Sequence, residues 1–139
     1  MSNASPLAPS LPRSRRIWFR IGLVIAGLMG LFNLINGVGT LSDPTFGQTD
    51  PTLAPQPTWV SVSLVAFGAI TLAALIPAWR FARWAIIAVV VSRLAEAWGA
   101  VLLLFLPDAP DGLIIFVVGL IVVGTAVSVM VAQGLRTEA

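Results

Sequence analysis

Four apolar stretches, each long enough to cross a hydrocarbon layer, occupy most of this chain and dictate the solvent it folds in. They cover about residues 17–38, 59–76, 84–106 and 113–135. A bilayer core of ~30 Å asks for about 20 apolar residues in a helix rising ~1.5 Å per residue. Inside lipid each backbone N–H and C=O has to be satisfied within its own segment, so each stretch is expected to be an α-helix. The fold class that follows is all-α: a transmembrane four-helix bundle, one domain over residues 13–139. Composition agrees. Apolar residues make up 58% and charged residues 10% of the 139, against about 25% charged in a soluble domain. A water-soluble fold of this size would leave much of that apolar area on its surface.

The connecting segments set the topology. Residues 1–12 are rich in Ser, Pro and Ala and uncharged, and read as a disordered tail. Residues 39–58 form a polar loop with Pro44, Pro51, Pro55 and Pro57. Within it Asp43-Pro44-Thr45 recurs as Asp50-Pro51-Thr52, two expected turns, and Phe46 is expected to dip back to the interface. Pro77 is expected to stop the second helix. A short link with Arg80 and Arg83 leads to the third, and residues 107–112 make a tight turn. With the N-terminus inside, seven of the eight Arg residues fall in cytoplasmic segments and none in the outer loops, which hold Asp43, Asp50, Asp108 and Asp111. The positive-inside rule reads that asymmetry as both termini cytoplasmic, in a multi-pass protein of the plasma (inner) membrane. Ser14-Arg15-Arg16-Ile17-Trp18-Phe19-Arg20 looks like a twin-arginine export signal. The apolar stretch after it is longer than such signals carry and lacks an Ala-x-Ala site, so an uncleaved anchor is the reading.

Composition excludes much chemistry. With no Cys and no His, disulfides, thiol redox steps, zinc sites built from those residues, His bases and Cys nucleophiles are impossible; with no Lys, so are Schiff bases. No cofactor and no metal is expected. The outer Asp residues read as solvated loop acids, since a Ca²⁺ site needs converging oxygens. Nucleic acid is not an expected partner, because the Arg residues flank apolar segments and do not form a patch with reading groups.

Two charges lie where they are expensive. Arg93 and Glu96 fall inside the third span, where an ionised residue costs roughly 2.5–3.5 kcal/mol. Their i, i+3 spacing puts them on one helix face, which must turn inward and allows them to pair. One reading makes Glu96 a proton or cation site tuned by Arg93; the other makes the pair a structural element fixing helix rotation. Asn33 and Asn36 lie in the outer half of the first span. Counted at ~1.5 Å per residue from the Arg-rich edge, Asn33 lies ~18 Å deep, Glu96 ~16 Å and Thr125 ~13 Å, beside Arg93. A polar layer of Asn33, Arg93, Glu96 and Thr125 follows, either a binding site or interhelical glue. Trp98 is inside the third span and reads as packing bulk, with stacking on a flat apolar ligand the alternative.

Small residues mark the expected contacts. Gly22, Ala26 and Gly30 repeat along the first helix and Gly124, Ser128 and Ala132 along the fourth; such ridges admit close approach. Those two helices are expected to touch, or one ridge to support a dimer. Ala88, Ser92, Ala95 and Gly99 give the third helix a small face.

Arg20-Ile21-Gly22-Leu23 opening the first helix and the run from Gly68 to Arg83 through the second resemble the DoxX-like group of small bacterial four-helix membrane proteins. The resemblance covers the spans and implies a bacterial membrane protein. Members of the group are commonly of unassigned role, some linked to quinone-dependent oxidation complexes. This chain has no Lys closing its first helix and has its own Arg93/Glu96 pair, so no functional residue is carried over.

The expected function is that of a non-enzymatic accessory or assembly component in the lipid bilayer, working with a second copy of itself or a partner membrane subunit. The alternative is a small proton- or cation-coupled transporter using Glu96 with Arg93. An enzyme is not expected, because only Glu96 and the outer Asp residues could serve as acid or base.

Overall fold

The computed structural model describes residues 11–107 and 109–136. Among them there is no strand. The helices are α1 (Arg13–Ser42), α2 (Thr58–Trp79), α3 (Arg83–Gly99), which runs on as a 3-10 segment (Ala100–Phe105), and α4 (Leu113–Ala132), ending in a 3-10 turn (Gln133–Leu135). All four are long and apolar enough to cross a membrane. The chain is a multi-pass, all-helical membrane protein.

Two expected boundaries move. First, α1 has 30 residues, opening four residues before the apolar run and closing four after it. Arg13, Arg15, Arg16 and Arg20 sit on its first turns, where long side chains carry their charge back to water while the helix continues. Second, Pro77 does not end α2. The helix passes through it to Trp79, since a proline this close to the end forfeits a single N–H bond. Closure comes from the link, where Arg80 N–H donates to the Ile76 carbonyl and Ala82 N–H to that of Pro77. The third span covers the expected length, but its last six residues wind as 3-10, which nothing in the sequence marks. The tail expected over 1–12 lies outside the described residues up to residue 10; Leu11 is buried, and Pro12 accepts the first bond of α1 from Arg16. In the loop between α1 and α2 Asp43 and Asp50 each take the N–H and hydroxyl of the threonine two residues on. Those donors, the hydroxyl first, hold both carboxyls below the ordinary value. Phe46 folds back over Gly39 near the end of α1.

Neighbouring helices run antiparallel, as the residue pairs in contact require: Gly37 with Ser61 and Gly27 with Leu75, Thr71 with Ser92, Gly124 with Ala97, and Gly134 with Phe19. Arg13, Arg15, Arg16, Arg20, Arg80, Arg83 and Arg136 therefore gather at one end of the bundle. Arg20 also lies over the Trp79 ring, 5.2 Å from its centroid.

The expected small-residue ridges are split between partners. Gly22 meets Met130 and Val131 of α4, whereas Gly30 meets Gly68 and Thr71 of α2. Gly124 faces Ala97 on α3; Ala26 and Ser128 are buried and Ala132 is half-buried. So α1 and α4 do touch, but ridge does not meet ridge, and the first ridge is used up inside the bundle, unavailable for a dimer. The closest approach of a glycine to the backbone of a neighbouring helix is Gly30–Gly68, where a methyl on Gly68 would lie 2.7 Å from the Gly30 carbonyl oxygen and 2.9 Å from Leu34 N.

The contiguous apolar core lies entirely in the Arg-bearing half: Phe19, Leu23 and Ala26 of α1, Ala74 and Ala78 of α2, Ala85, Ile86 and Val89 of α3, Val127 and Val131 of α4. Phe81, in the α2–α3 link, joins it by stacking on Phe19 at 4.8 Å, and does so with φ +62°. A non-glycine residue in that left-handed region bears about 1–2 kcal/mol of steric strain, which ring burial offsets.

Two predictions follow from this packing. Gly68→Ala should lower thermal stability in detergent by an amount typical of overpacking, about 1–3 kcal/mol, while Gly119→Ala, where a methyl meets open space, should leave it unchanged or slightly raised. At the link, Phe81→Ala should melt below Phe81→Gly, because alanine loses the ring and keeps the strain; equal melting would show that the left-handed backbone carries no penalty.

Candidate functional site

Among the described residues Arg93 is the largest fully buried side chain, 1% exposed despite its charge. Facing inward from α3, its Nη1 lies 2.5 Å from Glu96 Oε2. The two atoms meet as a charge contact without hydrogen-bond alignment, and Nε has no acceptor. Nη2 donates to the Phe67 carbonyl on α2 at 3.2 Å; a helical carbonyl has a second lone pair to spare. The other Glu96 oxygen, Oε1, accepts from Asn33 Nδ2 on α1 at 2.5 Å. One cluster thereby ties α1, α2 and α3 together at mid-bundle. One turn toward the Arg-bearing end, the Thr71 and Ser92 hydroxyls bond at 2.9 Å between α2 and α3.

Of the residues expected in the polar layer, Asn33, Arg93 and Glu96 come together and Thr125 does not. Its hydroxyl is buried without a partner. The α4 residue against the Arg93 turn is Gly124, whose position lies 3.4 Å from the Arg93 carbonyl oxygen when a methyl is placed on it, and Thr125 stands ~100° further round the helix. Trp98 is also displaced from expectation. It is 57% exposed on the lipid-facing surface, because two residues from inward-facing Glu96 is ~200° of rotation. It does not fill the interior.

A cavity of about 870 Å³ opens on the other side of the cluster, in the half away from the arginines. Asn33 and Glu96 border its deep end together with Met29, Phe67 and Leu120; Asn36, Gln56, Trp59, Ser63, Gly99 and Leu103 border the rest. Phe32 and Phe116, also in its wall, are 67% and 57% exposed. The space is thus a cleft reaching the lipid-facing surface between α1 and α4. Its cause is the division of contacts. Toward this end α1 stays against α2 through Gly37, Val65 and Ser61, and α3 stays against α4. The closest contacts between the two pairs lie at or below the Arg93 level. A hydroxyl and amide group of Thr40, Ser61 and Gln56, with Thr40 Oγ1 and Ser61 Oγ 2.8 Å apart, locks α1 to α2 near the end away from the arginines.

Sequence reasoning missed Trp59 as a wall residue, since a tryptophan at the start of a span reads as an interface anchor, and missed the Phe67 carbonyl, which has no residue-type signal. The polar wall residues Gln56 and Ser63 carried none either. Among the described residues no three His, Cys, Asp or Glu side chains converge. No protein-family model, curated protein or solved structure matches this chain.

A double-mutant cycle tests how the cluster is held. Removing one member of a buried pair leaves a stranded charge and costs about 3–5 kcal/mol, whereas replacing both by apolar residues is close to neutral. Arg93→Leu and Glu96→Leu should each lower the melting temperature sharply, and Arg93→Leu/Glu96→Leu should recover most of the loss. Additive losses would mean that the two side chains are not coupled.

Proposed function

We propose that this protein is a non-enzymatic accessory component of a membrane, whose work is to hold an apolar-bodied molecule in the cleft between its two helix pairs. The observation that carries the reading is the cleft itself: about 870 Å³, within the roughly 300–1,000 Å³ common for small-molecule sites, mostly apolar, and closed at its deep end by polar groups. A membrane bundle gains by packing its helices together, so a space of this size beside a buried ion pair fits a role in holding a ligand better than one in scaffolding alone. The orientation proposed puts the Arg-bearing end in the cytoplasm and the cleft in the outer leaflet of a bacterial plasma membrane, on the positive-inside rule and in keeping with the DoxX-like resemblance. A partner membrane subunit or a second copy would dock on the lipid-facing surface.

The carrier reading is weaker. Glu96 borders the cleft, but Arg93 already neutralises it, and the path from there to the Arg-bearing end is filled by Leu23, Ile86, Val89, Val127 and Val131. Among the described residues no second acid lies within the spans to receive a proton.

Gly99 gives a direct test. It borders the cleft, has helical backbone angles, and a side chain there meets open space. Gly99→Leu should melt at or above the wild-type temperature and yet lose co-purifying lipid in native mass spectrometry. Unchanged lipid retention would remove the cleft as the site. For the carrier, proteoliposomes should show no pH-dependent cation-driven proton release that disappears in Glu96→Gln, a variant whose expected effect is lower stability in detergent; such a signal would reverse the order of the two readings.

A further inference from the structure

The donors and acceptors around the cleft discriminate among the molecules that could fill it. Each amide nitrogen already donates to the protein: Asn33 Nδ2 to Glu96 Oε1 at 2.5 Å, Asn36 Nδ2 to the Phe32 carbonyl at 2.8 Å, and Gln56 Nε2 to Ser61 Oγ at 3.2 Å and Thr40 Oγ1 at 3.5 Å, which leaves one hydrogen on each asparagine nitrogen. For both asparagines the partner is an oxygen that cannot donate, a carboxylate and a carbonyl, so chemistry fixes which amide atom is nitrogen. The Ser63 hydroxyl gives its single hydrogen to the Trp59 carbonyl at 2.7 Å. What these side chains have left is one N–H on each asparagine and a larger number of oxygen lone pairs. The amides of Asn33, Asn36 and Gln56 each keep a carbonyl with two lone pairs, and Glu96 has further capacity beyond its present bonds. Acceptor sites outnumber free N–H groups, and no cationic side chain borders the space, since Arg93 sits behind Glu96 and outside the wall.

Charge narrows the choice further. Arg93 and Glu96 form a neutral pair at the deep end. An ammonium head would be an uncompensated third charge taken out of water, and a phosphate or carboxylate head would meet Glu96 and carbonyl oxygens with no free donor cation. Either is penalised in a low-dielectric cleft. A neutral head that donates hydrogen bonds matches the wall without that penalty.

Resting on the ligand-holding role proposed above, we infer that the cleft selects an uncharged lipid with a free hydroxyl head, which donates to the Asn33, Asn36 and Glu96 oxygens while its hydrocarbon body lies along Phe32, Trp59 and Phe116. The free hydroxyl is the recognised group; chain identity is read only by apolar contact.

The test uses the full chain in phosphatidylcholine liposomes and three probes with the same diazirine-bearing acyl chains: a 1,2-diacylglycerol, its methyl ether and the corresponding phosphatidic acid. After photolysis, crosslinks are mapped by mass spectrometry to the segments that border the cleft. The diacylglycerol should label them about fivefold more than the methyl ether, the preference worth ~1 kcal/mol that one hydrogen bond supplies, and more than the phosphatidic acid. Asn36→Leu, which breaks only a bond within its own helix, should bring the diacylglycerol down toward the ether. Equal labelling by alcohol and ether, or a preference for the acid, overturns the hydroxyl assignment while the cleft remains a lipid site. No labelling of the cleft by any probe overturns both.

Discussion

A guanidinium and a carboxylate placed midway through a hydrocarbon layer constrain everything around them. Neither Arg93 nor Glu96 can face lipid, so α3 is fixed in rotation, and the groups that satisfy them come from both neighbours in the bundle: Asn33 from α1 and the Phe67 carbonyl from α2. The pair does not have to add net stability to do this. Its value is that few other arrangements of the helices leave both charges partnered, so competing packings are disfavoured by the cost of a stranded ion.

With rotation fixed there, small residues decide where backbones close up. Gly30 against Gly68 and Gly37 against Val65 bring α1 and α2 together along their length, and Gly124 against Ala97 does the same for α3 and α4. The two pairs converge where Phe19, Leu23, Ile86, Val89 and Val131 fill the space between them and diverge where no such set is present. The half away from the arginines has Asn36, Gln56 and Ser63 facing a gap in place of a core. One end of the molecule is therefore built like a soluble core, and the other like a cleft.

The spans were readable because each is set by a local run of apolar residues, and hydropathy needs no knowledge of neighbours. Depth was readable too. A rise of ~1.5 Å per residue put Asn33 level with Glu96, and the two are bonded. What one-dimensional counting does not capture is the angle around the axis. Thr125 had the right depth and the wrong bearing, and Trp98 turned outward because it shares a helix with Glu96 two positions away. Glycine function was half legible: Gly22 and Gly30 stood out by their spacing, while Gly68, at the closest approach to a neighbouring backbone, belongs to no repeat. The cleft was invisible for a different reason. It is a place where contacts are missing between segments far apart in the chain, and no local pattern encodes an omission.

The convergence of the two helix pairs at one end gives the molecule the outline of a pair of tweezers. The Gly30–Gly68 crossing and the Thr40–Ser61 bond hold α1 to α2 as one arm, Gly124 against Ala97 holds α3 to α4 as the other, and the arms join at the filled end, beside the Arg93 level. Ile86 and Val127 lie where the arms meet and Phe32 and Phe116 where they part, so the bulk at the first place fixes the angle that opens the second. Side-chain volume around the fulcrum thus sets the aperture at the tips, and residues that never touch an occupant share control over how wide an occupant can be.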